Sequence, residues 1–324
     1  MALLRILATL WILLSAHGLT MAQTTDRYPS KPIRIVVPWA TGGFNDTLAR
    51  LLSEKLGAEL GQQVIVENRP GAAGTLGSEM VARAAPDGYT LLLATADTHA
   101  IGAAVYPKLR YDPVHDFAPI SLLVSQPVAI WVSAKSQIMS LNDLIAYART
   151  KPGAVTYASN GNGSATHMGM EMFSRAAGIQ MLHVPYKGTG PALIDMLGGR
   201  LDTMFLSVQA AGSHGESGKL RPLAVSSNTR SSGLPTVPTF AEAGHPFRLA
   251  LWQGLVAPKG TPSAIVNRLA QIAGKAMAEP DIKARMNALG VQVLGSTPEE
   301  FRLFLAEEIH YWREAADTLN IKID

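Results

Sequence analysis

Residues 33–46 read IRIVVPWATGGFND, and this stretch decides the fold class. The run IRIVV is short and rich in β-branched residues, which predicts a buried β-strand. A glycine loop follows it, and the helix predicted after the loop presents one apolar stripe, formed by Leu48, Leu51, Leu52, Leu56 and Leu60. Strand, glycine loop and helix in this order predict one half of a βαβ unit with a parallel sheet.

The same rhythm recurs along the chain. After Ile33, short β-type runs are predicted at 64–66, 89–94, 120–124, 128–132, 155–158, 181–184, 203–206 and 223–225. Helical patterns lie between most of them, and the last quarter is helical, with a capping box predicted at Thr297 and Glu300. A second glycine loop, residues 159–164, follows the 155–158 strand. Two such series predict two α/β lobes, and ligands of open parallel sheets bind at the carboxyl ends of the strands.

Extended runs near 124–128 and 247–254 are the candidate crossovers between these lobes. We therefore predict that residues 23–125 and 248–324 form lobe 1 and that residues 126–247 form an inserted lobe 2. The dipeptide Gln126-Pro127 is expected to separate the 120–124 and 128–132 runs into two strands.

The first 22 residues differ from the rest, because Arg5 is the only charge before Asp26. An apolar run surrounds Arg5, and Thr20-Met21-Ala22 offers the small residues that a signal peptidase reads. We predict a secretory signal cleaved after Ala22 and a periplasmic mature protein. The alternative is an N-terminal membrane anchor, for which the run is short. The chain has no cysteine, which excludes a lipoprotein and disulfides.

The composition narrows the function classes further. Hydrophobic residues make up 47% and charged residues 16%, so the chain can bury a large core. The formal net charge is only +3 and there is no Lys/Arg run, so a nucleic-acid partner is not expected. Histidines are scattered without ligand spacing, and we predict neither a metal nor a cofactor. We expect a monomer.

The first glycine loop is a candidate anion site. Backbone N–H groups of Phe44, Asn45 and Asp46 at a helix start can hold an anion without any cationic side chain. The alternative is an ordinary turn in which Asp46 caps the helix.

The second glycine loop is similar in kind. Ser164 and Thr166 carry short hydroxyl donors, and His167 follows Ser164 by three residues at the predicted helix start. The alternative is that Ser164 merely caps the helix and His167 packs beside it.

Enzymatic signatures are missing. The chain has no Gly-x-Ser-x-Gly nucleophile elbow, no phosphate-binding loop with its lysine and no complete dinucleotide fingerprint. Ser164 and His167 are close in sequence, but no third member of a triad can be placed. We therefore predict a protein that performs no chemistry.

Ordered segments over most of the chain carry a family resemblance. They are YPSKPI (28–33), VP (37–38) with GG (42–43) and Asp46, VENRPG (66–71), PDGYTL (86–91), YDP (111–113) with DF (116–117), YAS (157–159) with GNG (161–163) and His167, HVPYKG (183–188), Pro235 with VPT (237–239), and EAG (242–244). With them the sequence closely resembles the substrate-binding receptors of tripartite tricarboxylate transporters, often called Bug receptors.

The resemblance implies a type II periplasmic binding-protein fold with a hinged cleft between two lobes. It implies a small ligand, usually a carboxylate, and a membrane permease as the partner. It maps ligand contacts onto both glycine loops and, more weakly, onto two strand ends; the residues are Phe44, Asn45, Asp46, Gly163, Ser164, Thr166, His167, Thr95 and Ser207.

One position departs from the family pattern, and two other functions stay open. Many relatives have an Asp after the phenylalanine of a Met-Phe pair, where this chain has Leu206. We therefore hypothesise a ligand without a cationic end, such as a di- or tricarboxylate or an aromatic or hydroxylated monocarboxylate. The alternatives are a periplasmic sensor that feeds a signalling partner, and a secreted serine hydrolase using Ser164 and His167.

Overall fold

The structure is a computed structural model that describes residues 28–323, so the predicted signal segment lies outside the described residues. The strands are β1 (Ile33–Val37), β2 (Val64–Asn68), β3 (Thr90–Thr95), β4 (Phe117–Ser133), β5 (Thr156–Ser159), β6 (Leu182–Pro185), β7 (Thr203–Ser207), β8 (Leu220–Val225), β9 (Ala250–Pro258) and β10 (Gln292–Val293).

Helices alternate with these strands. They are α1 (Phe44–Leu60), α2 (Thr75–Ala82), α3 (Gly102–Val105), α4 (Leu141–Thr150), α5 (Ala165–Ala177), α6 (Thr189–Gly198), α7 (Val208–Glu216), α8 (Ser263–Ala278), α9 (Pro280–Ala288) and α10 (Pro298–Leu319), with a 3-10 turn (Ala72–Gly74) before α2 and a π-helix (Ala96–Ile101) before α3. The π-helix was not predicted from the sequence.

The strands form two sheets that share β4, and the three parallel strands of each sheet follow the same spatial order. In the first sheet the order is β2-β1-β3-β9-β4, with the first three strands parallel and β9 antiparallel to its neighbours. In the second sheet β6, β5 and β7 are parallel, and β4 runs antiparallel between β7 and β8. Each sheet therefore receives one antiparallel strand from the segment that connects it to the other.

β4 is continuous, so the expected break at Gln126-Pro127 is wrong. Up to Pro127 the strand pairs with β9, and from Val128 onward it pairs with β7 and β8. A proline is tolerated here because the ladder changes partners at this point, so that its missing N–H falls between two sets of hydrogen bonds. Gln126 donates to the side chain of Gln253 on β9 at 3.0 Å, which ties the two connecting strands together inside the protein.

Apolar side chains cover both faces of the first sheet. Ile33, Ile35 and Val37 of β1 pack with the leucine stripe of α1, whereas Val36 belongs to the cluster on the other face. A parallel sheet buried on both faces explains why IRIVV is almost uniformly apolar. A separate apolar cluster around Trp131 packs against the second sheet.

The C-terminal helix α10 packs against the strands that connect the two sheets. Thr297 and Glu300 form the predicted capping box at its start. Its Phe301 is fully buried against Trp252 of β9. Gly254 lies on the same strand, and a Cβ added there would meet the Phe301 ring at 2.3 Å. The absence of a side chain at Gly254 therefore sets how closely α10 approaches β9.

We expect Gly254→Ala to lower the free energy of unfolding by about 1–3 kcal/mol, because the added methyl group overpacks this contact. Gly190→Ala is the matched control, since a Cβ added in α6 at that position has nothing within 4 Å. The control should change stability by less than about 1 kcal/mol. Urea unfolding of both variants measures this, and equal losses would contradict the packing argument.

Candidate functional site

The predicted site residues follow the carboxyl ends of four parallel strands. The loop after β1 leads into α1, and β3 leads into the π-helix. In the second sheet, β5 leads through the second glycine loop into α5, and β7 leads directly into α7. Helix N-termini, whose first N–H groups have no partner inside the helix, therefore gather at the edges where open sheets bind ligands.

The start of α1 has no side-chain cap. Gly43 is the N-cap residue, with φ −82° and ψ 175°, and no side chain accepts a hydrogen bond there. Phe44 packs its ring against the core below, and Asn45 is half-buried. The first-turn N–H groups of α1 are thus left without a side-chain acceptor, which is the arrangement that an anion can complete.

Asp46 serves this helix in a different way from the one expected. The interpretation of Asp46 as the N-cap is wrong, because it lies inside the first turn and is only 5% exposed. Its carboxylate accepts hydrogen bonds from the Gly42 N–H at 3.1 Å and from two nitrogens of Arg50, each at 3.0 Å. The hydrogen bond from Arg50 holds the pKa of Asp46 below its ordinary value. The side chain therefore shapes the glycine loop.

The start of α5 is capped by the protein itself. The Ser164 hydroxyl accepts a hydrogen bond from the His167 N–H at 3.3 Å and donates to the Gly161 carbonyl at 2.8 Å. Thr166 Oγ1 lies 3.1 Å from Ser164 Oγ and accepts from the Asn160 N–H at 3.0 Å. The structure brings the predicted residues of the second loop together, but their hydroxyls are already engaged in local hydrogen bonds.

Gly163 is the point at which this loop touches the elements after β3. Its φ is +72°, and an added Cβ would lie 2.4 Å from Ile323 and 3.2 Å from Val105. A left-handed conformation and such close approach both require glycine. The contact explains Gly163 as a packing position between the loop, α3 and the C-terminal tail.

His167 belongs to a stack of three rings. It lies parallel to His183 at a centroid distance of 4.0 Å, and His183 stacks on Tyr157 at 4.9 Å. The His167 Nδ1 accepts a hydrogen bond from the Gly163 N–H at 3.1 Å, which assigns its proton to Nε2. Burial lowers the pKa of His167, and burial together with the neighbouring His167 lowers the pKa of His183 to about 4. Both rings are therefore neutral at pH 7 and support the loop without adding charge.

Thr95 and Ser207, at the ends of β3 and β7, are buried. Thr95 caps the π-helix through a capping box with Thr98. The Ser207 hydroxyl accepts a hydrogen bond from the Ala210 N–H at 3.2 Å. Both side chains use their hydrogen-bonding capacity to start the next helix.

Asp97 and Tyr106 form a polar junction that the sequence reasoning missed. Asp97 lies in the π-helix after β3, and its Oδ1 accepts a hydrogen bond from the Ala165 N–H of α5 at 2.8 Å. The Tyr106 hydroxyl, after α3, donates to the Asn162 carbonyl at 3.3 Å. The two contacts join the edge of the first sheet to that of the second. A carboxylate three residues beyond the predicted 89–94 strand, at a ligand-binding edge, was the signal in the sequence.

Leu206 contributes nothing polar to these edges. It is 3% exposed and packs in the apolar cluster of the second sheet. Position 206 therefore offers no acidic group to a ligand at the end of β7.

The contacts at the two loops give no hydrolytic arrangement. The Ser164 hydroxyl bonds to backbone groups and to Thr166, and no hydrogen bond links it to the His167 ring in the described residues. Ser159 is hydrogen-bonded to His183 at 2.6 Å but is fully buried, so no substrate can reach it. Between residues 28 and 323 no group of three or more His, Cys, Asp or Glu side chains could hold a metal ion.

Two surface cavities lie away from these strand ends. One of about 380 Å³ lies between α5, the segment after it and the end of α10, and one of about 370 Å³ lies between α1 and α9. No hydrogen bond among residues 28–323 joins the 42–46 segment to the 161–167 segment. The predicted halves of the site are thus in separate loops, and the Asp97 junction lies between the sheets.

The chain is similar to known proteins over nearly its full length. The profile of the TctC family, described as "Tripartite tricarboxylate transporter family receptor", matches residues 48–321. Protein BugT of Bordetella pertussis is 37% identical over 314 residues, covering 96% of each chain. No helix in the described part of the chain is long and apolar enough to cross a membrane.

Solved structures share the fold. The periplasmic binding protein BugD superposes with a TM-score of 0.83 at 35% identity, covering 91% of this chain and 99% of that one. Rpa4515 of R. palustris, solved with adipate, gives a TM-score of 0.86 at 33% identity, covering 91% and 99%. MatC of Rhodopseudomonas palustris, solved with bound malate, gives 0.82 at 34% identity, covering 89% and 99%.

These matches confirm the predicted fold class, a two-lobed α/β periplasmic binding protein. They also confirm the resemblance that the ordered segments carry. The chain belongs to the family of tripartite tricarboxylate transporter receptors, whose members are periplasmic solute-binding proteins.

Proposed function

We propose that this protein is an exported periplasmic receptor that captures a small carboxylate between its two sheets and delivers it to a membrane transporter. The observation that carries the proposal is the uncapped start of α1, where Gly43 leaves the first-turn N–H groups without a side-chain acceptor. Oriented N–H groups and the helix dipole favour an anion at that place. The adipate and malate in related structures support a carboxylate as that anion.

The proposed action is binding followed by closure, without chemistry on the ligand. Lobe 1 would comprise residues 23–125 and 248–324, and lobe 2 residues 126–247, so that β4 and β9 are the segments on which the lobes turn. A ligand that contacts both lobes favours the closed state by its difference in affinity for the two states. The closed form would then be recognised by the permease subunits.

The proposed ligand contacts differ in kind between the loops. At α1 the backbone N–H groups of Phe44 and Asn45 would hold the carboxylate directly. At the other three strand ends the predicted contact groups already have local partners, so they would shape the site and bind the ligand through water. These groups are the side chains of Thr95, Ser164, Thr166, His167 and Ser207 and the backbone N–H of Gly163.

A thermal-shift screen with a library of mono-, di- and tricarboxylates tests the function. A ligand present at a hundred times its dissociation constant adds about 2.7 kcal/mol to the stability of the folded state, and the melting temperature rises accordingly. Calorimetric titration would then give the dissociation constant. A library in which no carboxylate shifts the melting temperature, while an unrelated solute does, would refute the proposal.

Gly43→Asp is expected to weaken carboxylate binding at least about tenfold, because the new side chain would cap α1 with its own carboxylate. The backbone at Gly43 suits an N-cap residue, and an added Cβ has nothing within 4 Å, so the variant should fold. Gly43→Ala is the matched control, since it adds the Cβ without an acceptor. Calorimetry should show near wild-type affinity for the control, and a full-affinity Gly43→Asp variant would place the ligand elsewhere.

Asp46→Asn is expected to reduce stability by about 1 kcal/mol at pH 7 and to leave affinity within about threefold, because the backbone N–H is unchanged. The pKa of Asp46 is depressed in the folded protein, so its contribution is present above the ordinary value of about 3.9 and is lost as the pH falls below it. The difference in the free energy of unfolding between Asp46→Asn and wild type, measured by urea unfolding, should therefore shrink between about pH 5 and about pH 3. Asp317→Asn, exposed near the end of α10, serves as the control.

A further inference from the structure

Asp97 has an unusual position for an acidic side chain. It lies at the carboxyl edge of the first sheet and reaches the first N–H of α5 at the edge of the second. Protein atoms enclose the carboxyl group, and burial raises its pKa, while the bond from Ala165 opposes the rise. The residue nevertheless retains accessible surface, unlike Thr98 and His99 beside it, which are fully buried. Asp97 therefore keeps some contact with solvent at the edge of the first sheet.

The hydrogen-bonding capacity of Asp97 is only partly used. A carboxylate can accept at both oxygens. The bond from Ala165 to Oδ1 is the one that it accepts from another residue within residues 28–323. No arginine or lysine pairs with it in that part of the chain, in contrast to Asp46, which Arg50 neutralises. Its own backbone N–H also acts on the carboxyl group, but a buried charge held by two N–H groups and no cation is still stabilised by a further donor.

The neighbouring groups supply no such donor. Tyr106 is close enough for the charge of Asp97 to raise its pKa, but its hydroxyl donates to the Asn162 carbonyl. The α5 start gives Asp97 the N–H of Ala165, and the His167 N–H donates to Ser164. No hydrogen bond joins the Thr166 N–H to Asp97 within residues 28–323, so a further donor to the carboxylate would be water or a bound ligand.

We propose that Asp97 is a specificity-determining residue that accepts a hydrogen bond from a hydroxyl or ammonium group of the bound carboxylate. This inference rests on the proposed function and narrows its ligand class to carboxylates that also carry a donor. Leu206 is buried in the core and places no acidic group at these edges, whereas Asp97 places one there from the opposite sheet. The ligand is then not restricted to one without a cationic end, as the residue at position 206 alone had suggested. Plain carboxylates would leave the second oxygen of Asp97 unpaired on closure.

The test compares carboxylates in sets of equal chain length, whose members differ only in the hydrogen-bond donor that they carry. Succinate, malate and aspartate form one set, and glutarate, 2-hydroxyglutarate and glutamate form a second; calorimetry gives the affinity of each for the wild-type protein. The member with a hydroxyl or an ammonium group should bind at least about tenfold more tightly than the plain member, as expected for a hydrogen bond to a charged group. The malate and aspartate arms separate the two donors.

Asp97→Asn keeps an acceptor for the Ala165 N–H and removes the charge. In this variant the preference for the donor-bearing ligand should fall to about threefold or less, while the plain member binds at least as well as before. Asp317→Asn removes a charge of the same kind from an exposed position and should keep the wild-type preference. Circular dichroism and the melting temperature establish that both variants fold.

Two results would overturn the inference and leave the receptor function standing. One is a wild-type protein that binds the plain members as tightly as their substituted partners, which needs no variant. The other is an Asp97→Asn variant that retains the full preference. Failure of every carboxylate to bind the wild-type protein would instead refute the proposed function, and the inference with it.

Discussion

The N–H groups in the first turn of an α-helix have no partner within the helix, and four helices begin where the parallel strands of this protein end. The chain provides acceptors for these N–H groups at some of the helices and not at others. At α5 the hydroxyl of Ser164 and the carboxylate of Asp97 satisfy two N–H groups, whereas at α1 Gly43 provides no side chain. Because these N–H groups lack a side-chain acceptor at a partly exposed helix start, the α1 start can accept an anion from outside. The proposed recognition of an anion by backbone N–H groups rests on this difference between α1 and α5.

The joint between the sheets depends on backbone pairing. β4 and β9 run side by side through the connection, and the buried Gln126–Gln253 bond ties them where β4 changes partners. A continuous ladder allows twisting but resists separation, since its N–H and C=O groups would lose their partners. Pro127 lies at the transfer point and has no N–H that could bridge the two sets of hydrogen bonds, so the ladder resists bending less at that position. These features suit strands on which two lobes turn while their cores stay intact.

The sequence predicted the parts of the fold that local patterns determine. Ile33–Val37, the α1 stripe and the Thr297–Glu300 capping box need only neighbouring residues, and all three are present. The break at Pro127 was expected because proline disfavours strands, but partner exchange in β4 is a long-range property. Asp46 was interpreted as the N-cap because the sequence alone does not show at which residue α1 begins. With the first helical residue known, Asp46 lies in the first turn, where it can pair with Arg50. The role of Asp97 depends on a contact 68 positions along the chain, which no spacing rule contains.

In the proposed mechanism, the electrostatics of the junction would couple recognition to closure. Closing the edges would remove water from Asp97, and the Ala165 N–H with the dipole of α5 would return only part of that free energy. A donor on the ligand would return more of it, and only when the edges are together. A ligand that also places its carboxylate on α1 would therefore stabilise the closed arrangement through two contacts. Its carboxylate would bind α1, and its donor would bind Asp97. An anion without a donor would make the contact at α1 but would be repelled by Asp97. A single acidic side chain would thus turn a general anion site into a selective one.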